Sequence, residues 1–250
     1  MKALVTLTSS ESKRLIARGV AALPSVQNAL EKHTIIVAGG TSNAFVAEEL
    51  LGIKIEDKTG YTLGIVTDGT LGISHSSKKT APYVIKEGKP LETSWIDYLP
   101  KLEQGDIFIK GGNALDHTGL AAVMVSDSKG GTIGAAQGLL YARGIKLIVP
   151  IGIEKMVPDV RTAVEFMTNS TVDQALGHKV GLIPLVGATV VTELTALETL
   201  YDLEARCIAA GGVGGSEGSV TLAIEGLDEE VNRALKDVLS IKGEPQVVVQ

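Results

Sequence analysis

The chain has 250 residues, of which 44% are hydrophobic and 21% charged, the composition of a folded globular protein. Its formal net charge is -6 and no Lys/Arg-rich block runs through it, which excludes nucleic acid as the expected partner. The single cysteine, Cys207, excludes an internal disulfide and suits a reducing compartment.

Met1-Lys2-Ala3-Leu4-Val5-Thr6-Leu7 is apolar but too short for a signal-peptide core. The longest apolar run elsewhere, Leu147 to Ile153, contains Pro150 and Gly152 and is far below membrane-spanning length. The expectation is a cytoplasmic protein with no membrane partner. Thr8-Ser9-Ser10-Glu11 fits a capping box, so a helix should open there, with Leu15, Ile16, Val20 and Leu23 on one face. Pro24 should stop it, and Ser25 is placed to cap a second helix through Leu30. Thr34 to Ala38 is a continuous apolar run, the pattern of a strand buried on both faces. Gly39-Gly40-Thr41-Ser42-Asn43 follows, then a helix from Ala44 to Leu51 closed by Gly52.

Short strands and turns come next: Leu63 to Thr67, Leu71 to Ser74, and Pro82 to Lys86 before a Glu87-Gly88-Lys89-Pro90 turn. Further strands are expected at Asp106 to Lys110, Ala121 to Val125 and Ile145 to Ile151. Gly130-Gly131-Thr132 should open a helix to Arg143, with Gly144 at its C-cap. Helices interleaved with apolar strands predict an α/β fold with a doubly wound, mostly parallel sheet over residues 1–176. After Leu176 the rhythm changes to strand (Val180 to Val191), helix (Thr192 to Leu203) and strand (Ala205 to Ala209). Strand (Ser219 to Glu225), helix (Asp228 to Ile241) and strand (Gln246 to Val249) follow. This βαββαβ order predicts a smaller ferredoxin-like α+β domain over 177–250.

Gly39 to Asn43 is the first candidate site. A helix N-terminus leaves N–H groups unpaired and carries partial positive charge, and paired glycines let an anion approach. Lys110-Gly111-Gly112-Asn113 is the second. A lysine at the C-terminal end of a parallel strand faces the crevice where such sheets bind ligands, and Asp116 or His117 nearby can move a proton. Asp68 sits in an Asp-Gly turn pair and is weighed as a ligand group or a turn residue. Gly131 and Thr132 are a second anion nest or a flexible turn. Glu154 and Lys155 follow a strand end and either face the crevice or pair on the surface. Gly211 to Gly218 is a lid or a mobile hairpin loop, and not a dinucleotide fingerprint, because no helix opens after it. No His/Cys/carboxylate group has metal-ligand spacing, so neither metal nor cofactor is expected.

Ile35-Ile36-Val37-Ala38-Gly39-Gly40-Thr41-Ser42-Asn43 resembles the first phosphate loop of the ribose-5-phosphate isomerase superfamily, which also holds glucosamine-phosphate deaminases and CoA transferases. Asp106 to Leu115 is similar to that family's strand and Lys-Gly-Gly loop, and Ala122 to Lys129 to the strand and Asp-x-Ser-Lys turn after it. Ile151 to Pro158 looks like a segment of the lactate-utilisation proteins. The resemblance implies catalytic assistance by Lys110 and a ferredoxin-like accessory domain. The family's Asp-Gly-Ala-Asp-Glu run is replaced by Ser94 to Pro100, and its downstream glutamate by Asp116-His117-Thr118-Gly119. The expected function is an enzyme on a small phosphorylated or carboxylated metabolite, most plausibly an aldose–ketose isomerase or a related proton transfer, in a homo-oligomer. A CoA-linked acyl-transfer enzyme and a non-catalytic metabolite-binding regulator are the alternatives.

Overall fold

The computed structural model describes residues 1–168 and 171–249. Strand β1 (Lys2–Leu7) leads into helix α1 (Ser9–Ala22), where Thr8 Oγ1 accepts from the Glu11 N–H and Glu11 Oε2 accepts from the Thr8 N–H. Both halves of the capping box thus form. Pro24 does not only stop α1. It is the first residue of α2 (Pro24–Lys32), where its missing N–H and fixed φ suit a helix start, and Ser25 lies inside that helix. Strand β2 (Thr34–Val37) is buried at every residue, and α3 (Thr41–Leu51) ends at Gly52 in the left-handed region.

The hairpin β3 (Gly64–Thr67) and β4 (Thr70–Ile73) stands as a separate two-stranded sheet. Strands β5 (Tyr83–Lys86) and β6 (Lys89–Pro90) and the short helix α4 (Trp95–Tyr98) lead to β7 (Ile107–Ile109). Next come β8 (Ala114–Leu115), β9 (Ala121–Val125), α5 (Gly131–Arg143), β10 (Lys146–Pro150) and α6 (Val160–Thr168). The chain continues through β11 (Gly181–Pro184), β12 (Thr189–Val191), α7 (Glu193–Leu200), β13 (Leu203–Ala210), β14 (Val220–Gly226) and α8 (Asp228–Ile241).

The principal sheet runs β12-β10-β7-β2-β5-β6. Its first four strands are mutually parallel, and β5 and β6 add antiparallel pairs at one edge. The fold is therefore mixed α/β with a parallel centre. Alternate residues of the central strands face opposite ways, as the pleat requires. Ile35, Val37, Ile107, Ile109 and Ile148 join one core with α1, α3 and α7 residues. Ile36, Phe108, Leu147 and Val149 join another with Ile133, Ala136 and Leu140 of α5.

Residues 177–250 depart from the expected βαββαβ order. The run Val180 to Val191 is two strands in two sheets: β11 pairs antiparallel with β9, and β12 is the parallel edge of the principal sheet. A turn at Leu185–Ala188 separates them, with Gly187 at φ 72°. Gln246 to Val249 forms no strand. Instead, β14 pairs on one side with β13 and on the other with β1, in the order β1-β14-β13. The third strand comes from the far end of the chain. Among the described residues no helix is long and apolar enough to cross a membrane.

Candidate functional site

Because β2, β7, β10 and β12 are parallel, their C-terminal ends share one edge of the sheet, where such sheets take their ligands. After β2, the Ala38 N–H donates to Ile109 O and the Gly40 N–H to Tyr61 O. Gly40 is the N-cap of α3 at φ 156° and offers no side-chain cap to the first-turn N–H groups. A Cβ on Gly39 would stand 3.0 Å from Tyr61 O. Ser42 is buried and Thr41 half-buried. Asn43 is fully buried, and its Nδ2 donates to Ala38 O at 2.7 Å and to Ile109 O at 3.3 Å, tying the ends of β2 and β7 together. Its Oδ1 has no hydrogen-bond partner and lies 3.6 Å from where a Gly111 Cβ would stand. A buried acceptor left unpaired costs roughly 1–3 kcal/mol. Such an atom beside a glycine loop is an acceptor that the described protein groups leave open.

Two lysines sit on successive carbonyls of that loop. Lys110 Nζ donates to Gly111 O at 3.1 Å, and Lys155 Nζ to Gly112 O at 3.0 Å. Each residue keeps some exposed surface, but its ammonium is crowded by protein. Burial, with the charge of Lys155 added, pulls Lys110 down to about 8. Burial and then the Lys13 charge do the same to Lys155, against the pull of Glu154 and Glu193, leaving it also at about 8. These are the two conditions that lower an amine: loss of water and a neighbouring cation. Among the described residues neither forms a salt bridge with a carboxylate.

The acidic half of the site comes from three elements. Glu154, in the turn after β10, accepts from Lys13 Nζ of α1 at 3.1 Å. Burial raises the Glu154 carboxyl, but the Lys13 charge, Ser9 and Lys155 outweigh that and hold it below the usual range. Lys13 also donates to Ser9 O at 3.1 Å and to Ser9 Oγ. Glu193, the first residue of α7, is fully buried; its Oε2 accepts from the Ile153 N–H at 2.9 Å, and its Oε1 has no well-formed hydrogen bond, with the Ser12 hydroxyl of α1 its polar neighbour. Burial pushes its carboxyl up. Gly152 makes room for both acids, since a Cβ there would stand 3.1 Å from Glu193 Oε1 and 3.4 Å from Glu154 Cγ. Gly218, at the end of the 211–218 loop, would place a Cβ 2.9 Å from Glu154 Oε2. That loop therefore lies against the acidic side of the site.

The structure brings Gly39, Gly40, Asn43, Lys110, Gly111 and Gly112 together, and adds Glu154 and Lys155. The expected acid–base pair is not poised for that role. Asp116 is buried, and Oδ1 accepts from the Thr118 N–H, Thr118 Oγ1 and the Leu120 N–H while Oδ2 accepts from the Val160 N–H. Burial alone would raise it; those hydrogen bonds prevail and hold it at about 2. Its lone pairs fasten a turn to the start of α6, so it is a structural carboxylate and not a poised base. His117 is exposed on that turn. Asn113 spends its Oδ1 on the Met124 N–H at 3.0 Å. Asp68 is exposed at φ 50° in the β3–β4 turn, a backbone conformation that Asp tolerates better than most residues. Gly131 and Thr132 open α5 beyond the far end of β9, where Asp127 Oδ1 already faces the Gly131 N–H at 3.4 Å. That end borders a cavity of about 620 Å³ lined by Val125, Asp127, Gly130, Asp173 and Lys179. Among the described residues lining it there is no depressed lysine, so the lysine site is the stronger chemical candidate.

Lys13 and Glu193 escape a reading of the sequence. Lys13 lies in what reads as an ordinary amphipathic helix. Glu193 follows the capping Thr192, where an acid is expected for the helix dipole alone. Among the described residues no group of three or more His, Cys, Asp or Glu is arranged to hold a metal ion. No protein-family model matches the chain, and no curated protein matches it either.

Proposed function

We propose that the chain is an enzyme of the doubly wound α/β kind that binds a small phosphorylated or carboxylated metabolite at this edge and moves a proton on it. The observation that carries the reading is the pair of lysines, Lys110 and Lys155, held on Gly111 O and Gly112 O with no carboxylate salt bridge of their own. Cations held on backbone carbonyls, beside a glycine loop and an uncapped helix start, favour an anion from solution. Lys110 stabilises negative charge as it develops next to the substrate carbonyl. Glu154, ionised and partly accessible, replaces Asp116 as the base. An aldose–ketose isomerisation and other proton transfers next to a carbonyl fit this arrangement. Self-association belongs to the same reading, because β1 and β13 leave both edges of their sheet open.

A thermal-shift screen against sugar phosphates, 2-oxo acids, CoA esters and free phosphate tests it. A ligand at a hundred times its dissociation constant adds about 2.7 kcal/mol, and each kcal/mol raises Tm by roughly 2–4 °C in a chain of this size. The expected result is a shift with an anionic carbonyl compound that Thr41→Ala weakens and Lys110→Ala abolishes. Shifts indifferent to both variants would sink the site. Tight binding with no turnover would support the regulatory alternative.

A further inference from the structure

We propose that Lys110 acts as a covalent amine, condensing through Nζ with the carbonyl carbon of an anionic 2-oxo acid or phosphorylated ketone. This deepens the reading above and rests on it. An amine can attack only when unprotonated, and the surroundings of Lys110 provide for that. Lys155 lies on the next carbonyl of the same loop, and the crowding of both ammoniums by protein removes the water that would favour the charged form. The other charged groups of the site act on Lys155: Lys13 from α1, Glu154 from the turn after β10, and Glu193 from α7. Of these, Lys13 and Glu154 pair with each other, which leaves Lys110 without a salt bridge among the described residues.

The steps balance without an oxidant or reductant. The neutral Nζ forms a C–N bond to the carbonyl carbon, and the carbonyl π pair moves to oxygen, which takes a proton. That hydroxyl leaves as water, giving a protonated imine. Glu154 then takes the proton from the adjacent carbon, and the C–H pair flows through the new C=C bond onto the imine nitrogen, giving an enamine. Return of a proton to that carbon and addition of water release the carbonyl compound and regenerate Lys110. The unpaired Asn43 Oδ1 beside Gly111 is an acceptor suited to the hydroxyl or the iminium N–H as it forms, which an ionised carboxylate does not offer. Exchange of the proton next to a ketone is thus the elementary reaction, shared by aldol cleavage and dehydration.

The test treats the full-length protein with pyruvate, glyoxylate or dihydroxyacetone phosphate, adds sodium borohydride, and maps adducts by mass spectrometry. The expected result is one reduced adduct per chain on Lys110, absent in Lys110→Arg. The labelling rate should rise with pH about a midpoint near 8, and Lys155→Met should move that midpoint upward. In deuterium oxide, pyruvate should exchange its methyl protons with the wild type, and not with Lys110→Arg. A thermal shift that depends on Lys110 but brings no adduct overturns the imine and leaves the anion site standing. Adducts scattered over exposed lysines also overturn it. Neither shift nor adduct with any of the three probes overturns both readings.

Discussion

A lysine whose ammonium is stripped of water is a strain on the fold as well as a tool. The folded-state values of Lys110 and Lys155 lie at about 8, below the roughly 10.4 of an unfolded chain. Below pH 8 both states carry the protons, and the folded state bears the whole penalty of crowding two like charges. Between about 8 and 10.4 the folded state has released protons that the unfolded state still holds, so stability rises with pH through that window and levels off above it. Replacing Lys110 by methionine removes one charge and keeps the stem, so Lys110→Met should raise Tm at pH 7 by roughly 2–4 °C while abolishing proton exchange. The advantage over wild type should shrink by pH 10. Calorimetry of both proteins at pH 7 and pH 10 checks this; an advantage that is absent at pH 7, or undiminished at pH 10, would mean that Lys110 is well solvated. Asp116 carries the opposite sign: its contribution is present above about pH 4 and lost as pH falls towards 2.

At the scale of elements, the site is assembled by the crossing of α1 and α7, since α1 brings Lys13 and α7 brings Glu193. The helices meet at Gly19, where a Cβ would stand 2.5 Å from Ala196 Cβ and 2.7 Å from Ala196 Cα. No rotamer change relieves a clash with Cα. Gly19→Ala should therefore lower stability by about 1–3 kcal/mol through overpacking, against the roughly 0.5–1 kcal/mol that alanine gains over glycine inside a helix. Urea denaturation measures the balance, and adding Ala196→Gly should restore part of the loss. A Gly19→Ala protein more stable than wild type would show the crossing to be looser than this. Local chemistry made several elements legible: the box at Thr8, the glycine stops at Gly52 and Gly144, and the fully apolar β2. What was not legible depends on distant partners. Nothing near Lys2–Leu7 announces that it will pair with β14, more than two hundred residues away. Nor does the apolar run from Val180 to Val191 reveal that a four-residue turn sends its halves to different sheets. In the site, the glycine loops and Lys110 carried their own signals, whereas Glu193 looks like a dipole-complementing acid until its full burial is seen.

For the whole molecule, the question is whether the boundary expected near residue 176 separates two units that unfold independently. The packing argues that it does not. Strand β12 lies beyond that boundary yet forms the edge of the principal sheet, while β1 lies before it and completes the sheet of β13 and β14. One core takes in Ile35 and Ile109 of the principal sheet, Leu15 and Val20 of α1, and Leu222 and Ile224 of β14. Arg14 adds polar ties on the same helix, bonding Glu244 near the C-terminus as well as Glu48 and Glu49 of α3. Removing either half would expose the apolar face of α1, and the burial it forfeits, at about 25 cal/mol per Å², couples the halves. The chain's single tryptophan offers a local probe. Trp95 packs edge-on against Phe108 with ring centroids 6.2 Å apart, on the α5 side of the principal sheet, far in the chain from β13, β14 and α8. In urea, its fluorescence should change at the same midpoint as the far-ultraviolet circular dichroism, and one two-state curve should fit both. A tryptophan transition displaced from the dichroism midpoint would instead restore two independently folding units. The lysine site would then belong to the first alone, and its acid from α7 would have to be held by an interface rather than by a core.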